Sequence, residues 1–191
     1  MILAVRVVVL AIICLIVWML VRAHAHRPKE SPVISEKSQP AADIAVNIDR
    51  AVHGLSRAIQ VKTISHADLS LTNYREFERF HFLLESLFPL VHSKLKKKAI
   101  GYNLIYQWKG QDSAKRAVAL MSHMDVVPAT EKGWKYPAFS GAVEEGYVWG
   151  RGALDIKYGL IGILEAIEEL LELGYTPSRD IYVISTADEE A

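Results

Sequence analysis

The sequence predicts an α/β fold, in which a mixed, mostly parallel sheet is flanked by helices and preceded by an N-terminal membrane segment. Two apolar runs, residues 117–121 and 181–185, lack polar alternation, which is typical of strands buried on both faces. A long helical pattern over 157–173 lies between them, and an order of strand, hairpin, helix and strand indicates a mixed sheet. Residues 7–21 are all apolar, which predicts the membrane segment.

The N-terminal segment, residues 1–26, is predicted to direct the chain to a membrane. A spanning helix needs about 20 apolar residues and a signal-peptide core about 7–15, so the apolar run fits both. Ala23-His24-Ala25 offers a small-x-small cleavage site, whereas Trp18 near the far interface favours an anchor. We expect a membrane-anchored protein with an extracytoplasmic or lumenal globular part, or a protein secreted after signal cleavage.

A flexible, proline-containing linker is predicted over residues 27–42, which leaves 43–191 as the globular part. The chain carries 22 basic and 22 acidic side chains and no basic stripe interleaved with aromatic residues, so we expect no nucleic-acid partner. Its single cysteine, Cys14, lies in the apolar N-terminal run. This excludes an intrachain disulfide and a cysteine-based structural zinc site.

Two helices are predicted at the start of the globular part. The first covers 43–61 with Asp43 as its N-cap, because apolar residues recur at spacings of three and four: Ile44, Ile48, Val52, Leu55 and Ile59. The second covers 74–90, where Asn73 and Glu76 have the spacing of a capping box. We expect the basic run that follows to be a solvated loop: Lys94, Lys96, Lys97 and Lys98.

Apolar patterns and turn residues predict the remaining elements: strands over 103–108 and 117–121 with a turn over 109–112 between them, a hairpin over 143–149, a helix over 157–173 and a strand over 181–185. Glu145-Gly146 is the expected hairpin turn. Gly174 is expected to end the long helix, because glycine readily adopts the left-handed conformation of a helix C-terminus.

Histidine and acidic side chains follow strand or loop ends at three places in the globular part. His123 and Asp125 follow the first apolar strand, Asp155 follows a glycine-containing turn, and Glu189-Glu190 follows the last strand. Ligands in open α/β sheets bind at the carboxyl ends of strands, and one imidazole with several carboxylates suits zinc. Taken singly, each place also has an ordinary explanation: an accidental pair, a helix cap or a solvated acidic loop.

The chemistry of each place indicates how it would serve a metal. In an extended backbone His123 and Asp125 project to the same side, so His123 can bind a metal while Asp125 accepts a hydrogen bond from an imidazole. The carboxylate of Asp155, at the mouth of the following helix, can bridge two cations. Of two adjacent glutamates, one can bind metal and the other can act on water.

Together these motifs resemble those of the M20 metallopeptidases (the aminoacylase/carboxypeptidase clan), and within that family the carboxypeptidase S-type enzymes. The resemblance covers most of residues 45–191 and is carried by four stretches: Ser122–Pro128, Trp134–Gly141, Trp149–Lys157 and Asp188–Glu190. It implies a zinc-peptidase catalytic domain. It also implies hydrolysis of a peptide or N-acyl-amino-acid amide bond by a metal-bridged water.

The resemblance implies a role for each site residue. His123 binds one of two zinc ions, Asp155 bridges both and Glu190 binds the second. Glu189 is the general acid/base, and Asp125 orients His123. Relatives often have histidine where this chain has Ala187, and we expect little effect there because that position is not a ligand.

The family also uses a further acidic ligand, a late histidine and a lid domain downstream of the position where this sequence ends, and its complete enzymes allow homodimers. We therefore expect this chain alone to bind metal weakly, to be inactive and to expose a sheet edge. The alternative to an enzyme is a non-catalytic truncated fragment or pseudoenzyme with an incomplete metal site. A second alternative is a deacylase that acts on a metabolite rather than on peptides.

Overall fold

The computed structural model describes residues 2–25 and 46–191. The chain divides into two units, Met1–Ile44 and Ala45–Ala191. The linker predicted over 27–42 and the predicted N-cap Asp43 lie outside the described residues.

The first unit contains helix α1, Ile2–Ala25. Its stretch Val5–Ala25 has a mean hydropathy of 2.6 and is long and apolar enough, by length and composition, to cross a membrane. Arg22 lies over the ring of Trp18, with its guanidinium carbon 5.5 Å from the ring centroid. A single apolar helix near the N-terminus is compatible with an anchor and with a signal peptide.

The second unit combines helices with a small mixed sheet. Its helices are α2 (Ile48–Ile59), α3 (Tyr74–Leu87), α4 (Pro89–Lys94) and α5 (Tyr158–Glu172). Its strands are β1 (Lys96–Ile100), β2 (Asn103–Trp108), β3 (Val118–His123), β4 (Val143–Glu144), β5 (Tyr147–Val148) and β6 (Ile181–Thr186). A short 3₁₀ turn, Leu69–Leu71, lies between α2 and α3.

The main sheet has the strand order β1-β2-β6-β3. The β1–β2 and β2–β6 pairs are antiparallel, and β3–β6 is parallel. The prediction of a mixed sheet is confirmed, but the prediction that it is mostly parallel was wrong for the described strands. Ile100 pairs with Asn103 across a two-residue connection, which only an antiparallel pair permits. The predicted turn over 109–112 does not pair its flanking strands, because β6 lies between them.

Strand β3 was predicted to be buried on both faces, and that prediction was wrong. It is an edge strand that pairs only with β6 among the described strands. Met121 is 65% exposed and Val118 is 39% exposed, whereas Ser122 and His123 are buried. The apolar run therefore lies at an exposed edge of the sheet rather than at its centre.

Helix α2 begins later than predicted. Residues 46–47 are not helical, and Asn47 is the N-cap, with its side-chain oxygen accepting a hydrogen bond from Arg50 N at 3.0 Å. The helix also ends earlier than predicted, at Ile59 instead of residue 61.

The predicted second helix is divided in two. α3 ends at Leu87 and Pro89 opens α4, because proline has no N–H and disfavours a helical conformation at the preceding residue. The predicted capping box is absent. Asn73 makes no side-chain cap, and the Glu76 carboxylate instead accepts from Lys62 N at 3.1 Å.

The basic run is not the predicted loop, since Lys94 ends α4 and Lys96–Lys98 form part of β1. β1 is the second edge strand of the sheet, where lysines commonly discourage pairing with other chains. Lys97 forms an ion pair with Glu85.

The predicted hairpin turn and the glycine that ends the long helix are confirmed. Glu145 and Gly146 have φ of +56° and +80°, as a two-residue hairpin turn of type I′ requires. Gly174 follows α5 with φ +71°. The core lies between the helices and the main sheet and contains Phe77, Phe80, Leu84, Leu104, Tyr106, Leu160, Leu164 and Val183.

Candidate metal centre

Two parallel strands carry the first and last groups of site residues to the same edge of the sheet. His123 ends β3 and pairs with Thr186 at the end of β6. Met124 N donates to Thr186 O at 2.8 Å, which holds the two strand ends together. The segment with Glu189 and Glu190 follows β6, so its carboxylates come to lie beside the His123 ring.

A tight turn between β5 and α5 brings Asp155 to this edge. Gly152 opens the turn with φ +84°, and a β-carbon there would lie 2.7 Å from Val126 Cγ1. Lys157 N donates to Gly152 O at 2.9 Å and Ser122 Oγ donates to Ile156 O at 3.2 Å. Glycine thus allows the turn to sit directly on the loop that follows β3.

The three predicted metal ligands lie together. One ligand atom each from His123, Asp155 and Glu190 falls within 4.8 Å of the others. Two atoms bound to one zinc ion are at most about 4 Å apart, so the group needs only a small closure to hold a cation. His123 is buried, while the Asp155 side chain is 74% exposed. The group is therefore open to solvent on one side.

The contacts of the His123 ring show which nitrogen is available to a metal. Nδ1 lies 3.1 Å from the backbone oxygen of Asp125 and 3.4 Å from its Oδ1. Nε2 also faces acceptors, 3.2 Å from Asp155 Oδ1 and 3.6 Å from Glu189 Oε2. With a proton on Nδ1 directed at Asp125, Nε2 and these carboxylates would form a donor set that fits a divalent metal.

Asp125 is completely buried and connects two of the ligands. Its Oδ2 accepts hydrogen bonds from Ser65 Oγ at 2.6 Å and from Glu190 N at 3.0 Å. Its Oδ1 has no hydrogen bond and faces His123 Nδ1. Sequence reasoning missed Ser65, because no spacing or periodicity links it to a residue so far along the chain.

Burial, followed by the negative charge of Asp155, raises the pKa of the Glu190 carboxyl. Crowded carboxylates resist ionisation together, and a bound cation favours their charged forms. The raised pKa of Glu190 thus agrees with a cluster of carboxylates that would be stabilised by a bound cation.

A buried lysine ties the Asp155 turn to the end of α2. Lys157 Nζ donates to Ala58 O at 2.9 Å and to Val61 O at 2.7 Å. It also lies 4.9 Å from the ring centroid of Phe80. Burial lowers the pKa of Lys157 to about 7.

A shallow, mainly apolar cavity of about 260 Å³ lies beside the Asp155 turn. Leu154, the neighbour of Asp155, is 84% exposed on its wall. The other lining residues are Trp134, Tyr147, Val148, Trp149, Gly150 and Ala153. The Arg151 guanidinium carbon lies 5.5 Å from the ring centroid of Trp134. The aromatic loop between the first two motifs therefore packs near the site.

Comparison with known proteins supports the interpretation of these motifs. Residues 119–191 match the model of peptidase family M20/M25/M40. The chain is 42% identical over 141 residues to a probable carboxypeptidase S-like 2 of Dictyostelium discoideum, covering 71% of this chain and 27% of the relative. This chain belongs to the M20 peptidase family.

Other M20-type relatives are similar over much of the chain. It is 34% identical over 190 residues to carboxypeptidase S of Saccharomyces cerevisiae, covering 88% of this chain and 33% of the relative. It is 37% identical over 158 residues to the mouse N-fatty-acyl-amino acid synthase/hydrolase PM20D1, covering 80% and 30%. The chain spans about a quarter to a third of the length of these relatives.

Solved structures of the family share the fold. An M20 family metallo-carboxypeptidase from Sulfolobus solfataricus has a TM-score of 0.57 at 22% identity, covering 73% of this chain and 31% of that chain. The dipeptidase Dug1p of Saccharomyces cerevisiae has a TM-score of 0.59 at 19% identity, covering 75% and 33%. The α/β architecture with a mixed sheet is thus that of M20 peptidase domains.

Proposed function

We propose that this chain supplies metal ligands and the general base to a zinc-dependent hydrolase of peptide or N-acyl-amino-acid amide bonds. The observation that carries the proposal is the convergence of His123, Asp155 and Glu190 at one sheet edge, with ligand atoms within 4.8 Å. In this proposal His123 would hold one zinc ion, Glu190 would hold a second, and the Asp155 carboxylate would serve both. The metal, when bound, polarises the scissile carbonyl and makes water acidic near neutral pH.

Glu189 is the proposed general acid/base. Its side chain is 60% exposed and its Oε2 lies 3.6 Å from His123 Nε2, so it stands beside the ligand group with room for water and substrate. A base so placed takes a proton from the attacking water and delivers it to the leaving amine. Asp125 would hold the His123 ring so that Nε2 faces the metal.

The proposed substrates are small peptides and N-acyl amino acids. The relatives' names cover both, as carboxypeptidases and as an N-fatty-acyl-amino acid synthase/hydrolase. In both substrate types the amide bond joins an acyl group to an amino acid. The apolar cavity beside Leu154 offers a place for an apolar substituent of such a substrate.

We further propose that α1 serves as a signal anchor or signal peptide, so that the catalytic part lies outside the cytoplasm. The support is the apolar length of Val5–Ala25. Sequencing the N-terminus of the protein isolated from its source decides between the two forms. A start near residue 26 indicates cleavage, and an intact start indicates an anchor.

The zinc content of purified protein tests the metal proposal. Asp155→Ala is expected to lower zinc content sharply, because it removes the shared ligand. Asp112→Ala is the matched control, since Asp112 is an exposed carboxylate on a distant turn. Two zinc ions retained per Asp155→Ala chain would contradict the bridging role.

The rate of hydrolysis of dipeptides and N-acyl amino acids, measured with protein isolated from its source, tests the base role of Glu189. Glu189→Gln is expected to keep zinc and to reduce hydrolysis by about 10²–10⁴-fold. Glu131→Gln, at another exposed glutamate, is expected to retain activity. Near-normal activity of Glu189→Gln would remove it from this role. Zinc binding without hydrolysis by the wild type would favour the non-catalytic alternative.

A further inference from the structure

We infer that Ser65 is a positioning residue that sets the geometry of two metal ligands through the carboxylate of Asp125; the inference rests on the proposed metal site. Ser65 is only 4% exposed and lies in the segment between α2 and the 3₁₀ turn. Its hydroxyl donates to Asp125 Oδ2 at 2.6 Å, a length typical of a strong bond to a carboxylate.

Asp125 is completely buried, and few groups hold its carboxylate in place. Among the described residues no lysine or arginine forms an ion pair with it, and its Oδ1 makes no hydrogen bond. Its Oδ2 has two donors, Ser65 Oγ and Glu190 N. The Ser65 hydroxyl therefore restrains rotation of the carboxylate about its Cβ–Cγ bond.

The orientation of Asp125 matters because its two oxygens face different ligands. Oδ1 lies 3.4 Å from His123 Nδ1, and Oδ2 accepts from the backbone of Glu190 at 3.0 Å. A rotation of the carboxylate alters both contacts together. Ser65 thus acts on His123 and Glu190 at once, although it touches neither in the contacts described above.

The backbone around Ser65 is itself fixed to the loop after β3. Ser65 N donates to Val126 O at 3.2 Å, and Val126 N donates to Thr63 O at 3.0 Å. These bonds form a short parallel bridge between Ile64 and Val126. The serine hydroxyl is therefore held in place by secondary structure rather than by a free loop.

The same bridge provides a matched control. Thr63 is completely buried, and its hydroxyl also makes a 2.6 Å hydrogen bond, but the acceptor is the backbone oxygen of Met124. Thr63→Val and Ser65→Ala each remove one buried hydroxyl from the same segment. Only Ser65→Ala removes a donor from Asp125.

Zinc affinity of the full chain, measured by competition with a chromophoric chelator, is the first test. Both variants are expected to lower the unfolding temperature of the metal-free protein, since each removes a hydrogen-bond donor from a buried acceptor. Ser65→Ala is expected to weaken zinc binding by about 10-fold or more, and Thr63→Val by less than about 3-fold. Equal losses of affinity would overturn the inference.

Amide hydrogen exchange in the metal-free chain is the second test, and it separates this inference from the zinc proposal. Ser65→Ala is expected to speed exchange of the Glu190 N–H more than Thr63→Val does, because the acceptor becomes mobile. Equal exchange rates would overturn the positioning role even if zinc binds. Failure of the wild type to bind zinc would overturn the metal proposal instead.

Ser65→Cys provides a second test in case the Ser65→Ala variant does not fold. Cysteine fills the space of the hydroxyl but donates only weakly. In the metal-free chain its Glu190 exchange rate is expected to fall between those of wild type and Ser65→Ala. Values equal to the wild type would show that donation from this position is unimportant.

Discussion

Replacing Gly152 by alanine tests the close contact through which the Asp155 turn packs against the loop after β3. Gly152 has φ +84°, and an added β-carbon would lie 2.7 Å from Val126 Cγ1 and 3.3 Å from Lys157 Cδ. The left-handed conformation costs a non-glycine residue about 1–2 kcal/mol. Overpacking against a buried side chain adds about 1–3 kcal/mol. We therefore expect Gly152→Ala to lower the free energy of unfolding by about 2–5 kcal/mol.

Two other glycines separate these contributions. Gly146 has φ +80° but nothing within 4 Å of an added β-carbon, so Gly146→Ala is expected to cost only the conformational part, about 1–2 kcal/mol. Gly162 lies within α5 with open space around it. Gly162→Ala is expected to stabilise the protein by about 0.5–1 kcal/mol, because alanine restricts the unfolded chain and favours helix.

Urea denaturation of the three variants, with wild type alongside, measures the differences. The same samples report zinc affinity, which Gly152→Ala is expected to lower because it moves Asp155 away from the loop that follows His123. If Gly152→Ala costs no more than Gly146→Ala, the close approach to Val126 does not contribute to stability and a glycine is not required there by packing.

Three further predictions concern stability and metal. Lys157→Met should remove a pH dependence of the free energy of unfolding. In the folded wild type the pKa of Lys157 is about 7, below the ordinary 10.5, so the unfolded state binds more protons between these pH values. Wild-type stability therefore rises with pH in that range, by up to about 1.4 kcal/mol per pH unit. Denaturation of chelator-treated protein at pH 7–10 checks this, and parallel wild-type and variant curves would contradict it. Phe77→Ala should cost about 3–5 kcal/mol because Phe77 is fully buried, whereas Phe82→Ala, on the same helix and 70% exposed, should cost under about 0.5 kcal/mol; equal losses in urea denaturation would refute the assigned core. Added zinc should raise the unfolding temperature of wild type and leave Asp155→Ala unchanged, since a ligand that binds the folded state stabilises it; calorimetric scans decide this, and an equal rise in both would place the zinc elsewhere.

The sequence was sufficient to predict which residues could form a site, because their chemistry and their places after strands are local properties. His123, Asp155 and Glu190 do come together at the carboxyl ends of two parallel strands. Their roles toward zinc remain predictions. The support for Asp125 could not be predicted, because a hydrogen bond from Ser65 joins segments 60 residues apart and leaves no periodic pattern.

Helix and strand types followed from periodicity, but several boundaries and burials did not. Phe88 marks a break that the apolar pattern over 74–90 conceals, since both halves bury the same kinds of side chain. β3 has the apolar composition of a central strand but lies at an edge. The composition of a strand shows only that it could be buried. Whether it is buried depends on its position in the strand order, which the composition does not determine.

By itself the sequence determined the apolar N-terminal segment, the alternation of helices and strands, the hairpin turn at Glu145-Gly146 and the three groups of ligand-type residues. These depend on interactions between residues close in the chain. Only the tertiary structure decided the strand order, the exposed β3 edge and the packing of Gly152 against Val126. It also decided the hydrogen bonds of Asp125 with Ser65 and Glu190. Those features depend on which distant segments meet, and that is set by packing of the whole domain rather than by any local pattern.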